Sequence, residues 1–290
     1  MKKFILFIIL AAFGLCKADA QLFFEISGNG LEKPSYIFGT HHLAPLSVLD
    51  DYGIIDRLQD VDKVVGEVDM TEEFGMSPGM LKFIVAPSDS TLSKVLSPED
   101  YAFAAEEFKK YSPMPLATFE SMRPMMVTTM IILNIMEKSL DGYDEDNQMD
   151  MFIMRKGVEM GKEVLGLETA EYQAELIYTG FSISEQAEAL MELLRDPDVS
   201  FEEADSINEY YLTGDLEGLA ELQKEDDSDF TAKLVDPRNA DWLTKIPAII
   251  SDGPALFAVG ALHLVGDNGV LQGLRDLGYD ITPIYRKQSK

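Results

Sequence analysis

The chain has 290 residues, 46% of them hydrophobic, and its 51 acidic and 24 basic side chains give a formal charge of −27. So acidic a surface repels nucleic acid and anionic membranes, and the length suits one large domain with room for an inserted subdomain. One cysteine and three histidines are the scarce chemical resources of the sequence.

Residues 1–20 read as a secretory signal peptide: Lys2 and Lys3, an apolar run from Phe4 to Leu15, and the small-x-small triplet Ala18-Asp19-Ala20 before Gln21. The apolar run is too short to span a bilayer comfortably. A lipoprotein signal using Cys16 is the competing reading, and Leu15 is too large for the position before such a cysteine. Cleavage near Ala20 removes Cys16, so the mature chain, 21–290, has neither an internal disulfide nor a thiol nucleophile. No later stretch is apolar for long enough to be an integral membrane span. The expected location is the periplasm or the medium.

In the mature chain, Leu22 to Ser27 and Tyr36 to Phe38 read as strands joined by the turn Gly28-Asn29-Gly30. Leu46 to Leu58 reads as a helix, and Val61 to Asp69 as a buried strand ending in carboxylates. From about 70 to 160 the spacing predicts a helical insertion rich in methionine, including Pro98 to Lys110 and Met125 to Leu140. Methionines at helical spacing read first as adaptable core and second as a groove for varied peptides. Lys162 to Thr169 returns to strand. Helices follow at Ser184 to Leu194, Phe201 to Leu212 and about Ala240 to Ile250, with an acidic loop around Glu225 to Asp229 between the last two. Strand Ala255 to Val259, helix Val270 to Leu277 and a last strand Ile281 to Tyr285 close the chain, and Pro283 marks that strand as a sheet edge. Alternating strands and helices predict an α/β (α+β) fold: a mixed, largely parallel central sheet flanked by helices, with the Met-rich helical insertion.

All three histidines fall in two Gly-x-x-His stretches, Gly39-Thr40-His41-His42 and Gly260-Ala261-Leu262-His263. Val65-Gly66-Glu67 and Leu165-Gly166-Leu167-Glu168 share the plan of an apolar run, a glycine and a ligand-capable side chain. Parallel strands present their carboxyl ends to one crevice. If these four strands are parallel neighbours, His42, Glu67, Glu168 and His263 converge there. His41 is the weaker candidate, because adjacent residues of an extended chain face opposite ways. Two histidines and a glutamate can hold a divalent metal (Mn, Co or Zn) with a position left for water. A metal-free site, in which His42 or His263 serves as general base and Glu67 orients the ring, uses the same residues. Glu168 has the bland alternative of capping the helix after Thr169. Arg238 reads either as a clamp for an oxyanion or substrate carboxylate or as a partner of surface acids.

The stretches Tyr36 to His42, Val64 to Asp69, Gly166 to Thr169, Arg238 to Trp242 and Ala258 to Val270 resemble, in order, the TraB/PrgY/GumN family. That family includes the TIKI proteases and is related in fold to erythromycin esterase and ChaN-like proteins. The resemblance implies a metal-dependent hydrolase acting on a peptide or protein substrate. It implies His42, His263 and Glu67 as metal ligands or acid–base groups, with Arg238 and Asn239 supporting the site. Taken with the strand-end pattern, the candidate catalytic set is His42, Glu67, Arg238 and His263, and Gly39, His41, Glu168, Asn239 and Gly260 are candidate supporting residues. A metal-free esterase-like hydrolase, and a non-catalytic binder of metal, haem or peptide, remain the alternatives. His41, and Pro237 before the arginine, depart from many relatives.

Overall fold

The computed structural model describes residues 21–42, 44–71, 78–139, 148–225 and 229–287. The signal-peptide reading and most of the acidic loop lie outside the described residues. Among the described residues six strands form one sheet: β1 (Phe23–Gly28), β2 (Ser35–Thr40), β3 (Lys63–Gly66), β4 (Glu163–Gly166), β5 (Ala255–Gly260) and β6 (Tyr279–Ile284). Their spatial order is β4-β3-β5-β2-β1-β6. β2 pairs parallel with β5, β5 with β3, and β3 with β4, whereas β1 pairs antiparallel with β2 and β6. The sheet is thus mixed and largely parallel, and β2, β5, β3 and β4, which carry Gly39, Gly260, Gly66 and Gly166 at or next to their carboxyl ends, are the four parallel neighbours.

Local chemistry accounts for this arrangement. Gly28, Asn29 and Gly30 adopt φ of 75°, 47° and 83°, the left-handed region that glycine and asparagine tolerate, and so close the β1–β2 hairpin. β2 is buried along its whole length, as expected of an interior strand whose apolar residues run without alternation. β6 lies at the edge, where Pro283, opposite Phe24, costs no ladder bond on its outer side. The helix expected from Leu46 to Leu58 is two pieces, Ser47–Tyr52 and Ile54–Arg57, because Gly53 takes φ 67° and stops the first.

Among the described residues two hydrophobic cores result. The sheet core gathers Phe38, Phe257, Trp242 and Ile246 with Met149, Ile153 and Met154. The second joins Leu92, Phe108, Phe119, Val127 and Ile131 to Leu190 and Leu194. The helices Pro98–Glu107 and Pro124–Ser139 therefore share a core with Ile183–Arg195, which lies well beyond residue 160. Helix Met149–Glu159, by contrast, packs on the sheet. A Cβ on Gly66 would lie 1.7 Å from Met154 Cε, and one on Gly157 would lie 2.7 Å from a Val64 methyl. These glycines allow that close approach, and Met149 and Met154 are core filler rather than groove. Among the described residues no helix is long and apolar enough to cross a membrane.

Candidate functional site

The parallel register brings the strand ends level. Thr40 of β2 faces Gly260 of β5, and Gly66 of β3 faces both Ala258 of β5 and Gly166 of β4. The residues that follow each glycine therefore emerge on one side, at the carboxyl ends of the strands. The ladder continues one step past the glycines: the amides of Leu167 and Glu168 donate to the carbonyls of Gly66 and Glu67 at 2.9 and 2.8 Å.

Arg238 is the hub. It sits in the first turn of helix Asp236–Ser251, which starts four residues before the expected Ala240 because Pro237 is well suited to a helical first turn. A π turn, Thr231–Val235, leads directly into that helix. The Arg238 Nε donates to Glu168 Oε1 and Oε2 at 2.9 and 3.1 Å. Nη2 donates to Glu168 Oε1 at 2.6 Å and to Glu67 Oε2, and Nη1 donates to His263 Nε2 at 2.9 Å. One helical turn on, the Trp242 ring lies 4.9 Å below the guanidinium. Burial disfavours the charged guanidinium, but Glu67 and Glu168 outweigh that and raise its pKa.

His263 lies in the short turn Ala261–His263 after β5 and is 5% exposed. Its Nδ1–H donates to Asn239 Oδ1 at 2.7 Å, while the Asn239 amide donates to the Asn268 carbonyl at 3.0 Å. That pairing fixes the tautomer, so the Nε2 lone pair faces Arg238. Trp242 covers the ring at 4.3 Å between centroids. Burial first, and then the charges of Arg238 and His42, lower the pKa of His263 to about 4 against the pull of Glu67, so the ring is neutral at pH 7.

Glu67 accepts from the Gly260 amide at 2.9 Å through Oε1, and from Gln173 Nε2 at 3.0 Å through Oε2. A side chain on Gly260 would crowd Glu67 Oε1 at 3.1 Å. Burial would raise the Glu67 pKa, but His263, Arg238, His42 and the Gly260 amide lower it to about 2. With His263 neutral at pH 7, Arg238 and His42 are the cations that keep Glu67 ionised there.

His42 stands at the rim, its side chain 54% exposed against 5% for its partner Asp150. Its Nδ1 donates to Asp150 at 3.1 and 3.2 Å. The protein packed around the ring disfavours its charge, yet the Asp150 carboxylate, with help from Glu67, raises its pKa to about 9. Solvent on the exposed half of the ring screens both effects. His41 turns the other way, edge-on to Tyr211 at 5.1 Å. Burial and the neighbouring His42 lower its pKa to about 4 against a hydrogen bond to Asn208. The Tyr211 hydroxyl donates to the Gly39 carbonyl at 2.9 Å, which ties that glycine to the core.

The model of the TraB/PrgY/gumN family matches residues 22–283. The chain belongs to that family. No curated protein and no solved structure matches it.

In this TraB/PrgY/gumN protein, Glu67, Glu168, Arg238, Asn239, Gly260 and His263 form one connected network, with His42 beside it and Gly39 and His41 behind. Three expectations change in detail. Asp150, not Glu67, orients His42. Glu168 does not cap the following helix: Thr169 does, accepting from the Tyr172 amide at 3.2 Å. The Glu168 carboxylate, 1% exposed, instead holds Arg238 and accepts from Trp242 Nε1 at 3.1 Å. Arg238 in turn pairs with these buried acids rather than with surface ones.

Two residues were not anticipated. Asp150 had a signal, since it is a charge within the buried stripe Met149, Ile153, Met154 and Gly157 of its helix. Gln173 had none, being an ordinary polar residue of helix Ala170–Thr179.

As these side chains stand, they do not fit a dication on His42, Glu67 and His263. Both ring nitrogens of His263 and both oxygens of Glu67 are committed, and a guanidinium lies 2.9 Å from the nitrogen a metal would need. Among the described residues no group of three or more His, Cys, Asp or Glu side chains is arranged to hold a metal.

Proposed function

We propose that this protein is an exported hydrolase of amide or ester bonds, acting on peptides or exposed protein ends, with His42 as its acid–base group. The observation that carries this reading is the half-exposed His42 paired with buried Asp150 at the carboxyl ends of the strands. Asp150 fixes the proton on Nδ1, which leaves Nε2 to exchange a proton with water. In the neutral ring, Nε2 takes a proton from water as the water oxygen bonds to the carbonyl carbon. The imidazolium then returns that proton to the departing nitrogen or oxygen. Glu67 and Arg238, locked together beside it, supply a fixed charge pattern that needs no rearrangement during the reaction. Since Arg238 occupies the Nε2 side of His263, no step is routed through a metal.

The test is hydrolysis of a peptide and ester library by the intact protein between pH 7 and 9, with and without a strong chelator, beside His42→Ala. The expected result is cleavage that survives chelation and disappears in the variant. Cleavage abolished by chelator would return the site to metal-assisted chemistry, and ligand capture without cleavage would make the protein a binder. Either outcome overturns the proposal.

A further inference from the structure

Gln173 does something at this site that the reaction scheme above does not use. Its Nε2 donates to Glu67 Oε2 at 3.0 Å and to Glu168 Oε1 at 3.1 Å. Both partners only accept, so the amide nitrogen, not the amide oxygen, must face them. These are the same two oxygens that Arg238 Nη2 joins. Two carboxylates are therefore held side by side by a cationic donor and a neutral one. Unbridged, like charges this close and this poorly solvated repel one another strongly.

Arg238 cannot replace the amide, because its Nε is already spent on Glu168 and its Nη1 on His263. Without the Gln173 donors the two carboxylates part, and the guanidinium follows Glu168, with which it makes three contacts against one with Glu67. Its hydrogen bond to His263 then shifts with it. The location of the amide is also fixed from behind. Helix Ala170–Thr179 packs against helix Pro78–Ile84 and against the π turn Thr231–Val235 that leads to Arg238. At its end, a Cβ on Gly180 would meet a Leu234 methyl at 2.8 Å.

We infer that Gln173 is a positioning residue: it fixes Glu67 against Arg238, the two fixed charges of the hydrolytic site, and, through Arg238, sets the hydrogen bond on His263 Nε2 that reports their placement. The kinetic part rests on the function proposed above, and the structural part does not.

The experiment compares Gln173→Leu, which removes the donors at similar volume, with Gln173→Asn, which keeps an amide one methylene too short to bridge. The protein has three histidines, so imidazole nitrogen resonances are assignable by single substitutions. At one fixed pH near neutrality, both variants should move the His263 Nε2 resonance toward that of a nitrogen without a donor, with a native far-ultraviolet spectrum. In the active enzyme, kcat should fall about tenfold or more with KM changed by less than about threefold, because ground-state binding is untouched. If the wild type hydrolyses nothing, the resonance alone decides. A His263 resonance unmoved in a folded variant, or an unchanged kcat in an active enzyme, overturns the inference.

Discussion

In the proposed reaction Asp150 and His42 divide the work of one acid–base group, and the division makes quantitative demands. With the His42 pKa raised to about 9, most rings are protonated at neutral pH, so kcat/KM should climb as pH rises from 7 toward 9. A profile that is flat or falling across that range would exclude His42 as the base. Asp150→Asn removes the carboxylate that the raised value depends on and frees the ring to adopt either tautomer. That variant should lose about 10²-fold or more in kcat, with the rising limb moved toward the ordinary histidine range near 6.5. Glu168→Gln is a different kind of change. It leaves Arg238 buried with one fewer acid, and should cost about 3 kcal/mol of unfolding free energy in urea titration. A variant as stable as the parent would mean that Arg238 finds other compensation. The meeting of His42, Glu67, Glu168 and His263 at neighbouring strand ends was readable in the sequence because histidines are scarce and glycines mark where strands stop, whereas Arg238, on a helix, read equally as a partner of surface acids. Asp150 and Gln173 come from helices without such punctuation, and a helix conveys its facing only once its packing partner is known.

At the level of elements, the site exists because four strand ends are level, and the glycines that end them are held to that register by what lies against them. A Cβ on Gly166 would lie 2.6 Å from the Asp69 amide nitrogen and 3.0 Å from the Glu168 carbonyl oxygen, both backbone atoms. Gly166→Ala must therefore push β4 and the segment after β3 apart. The expected loss is about 1–3 kcal/mol in denaturant unfolding, with lowered activity because Glu168 moves with its strand. An alanine variant with full stability and turnover would contradict the close approach. The strands themselves were legible, since apolar runs bounded by glycine and proline leave few choices. The partition of the helices was not. Ile183–Arg195 and Pro124–Ser139 share a core although 43 residues lie between the end of one and the start of the other, and periodicity within a helix does not name its partner.

For the whole molecule, the buried network turns acidity into instability. His41 and His263, at about 4 when folded against 6.5 in a free chain, bind fewer protons in the native state, so their contribution is complete above about 6.5 and disappears as pH falls through 4. Glu67, lowered from 4.5 to about 2, adds a loss over that lower range. His42 has the opposite sign: its contribution is full below 6.5 and fades as pH rises through 9. Urea midpoints should therefore drop from pH 7 to pH 4 more steeply than in a His263→Gln variant; parallel curves would show that the buried ring is not responsible. The pairing of β2 with β5 carries a consequence in time. The Ala255 amide reaches the Ser35 hydroxyl across 220 residues of chain. A ribosome must therefore translate past His263 before the first histidine motif can meet the second. A nascent chain that has not reached that residue lacks the assembled site, and whatever chemistry the site performs is withheld until then.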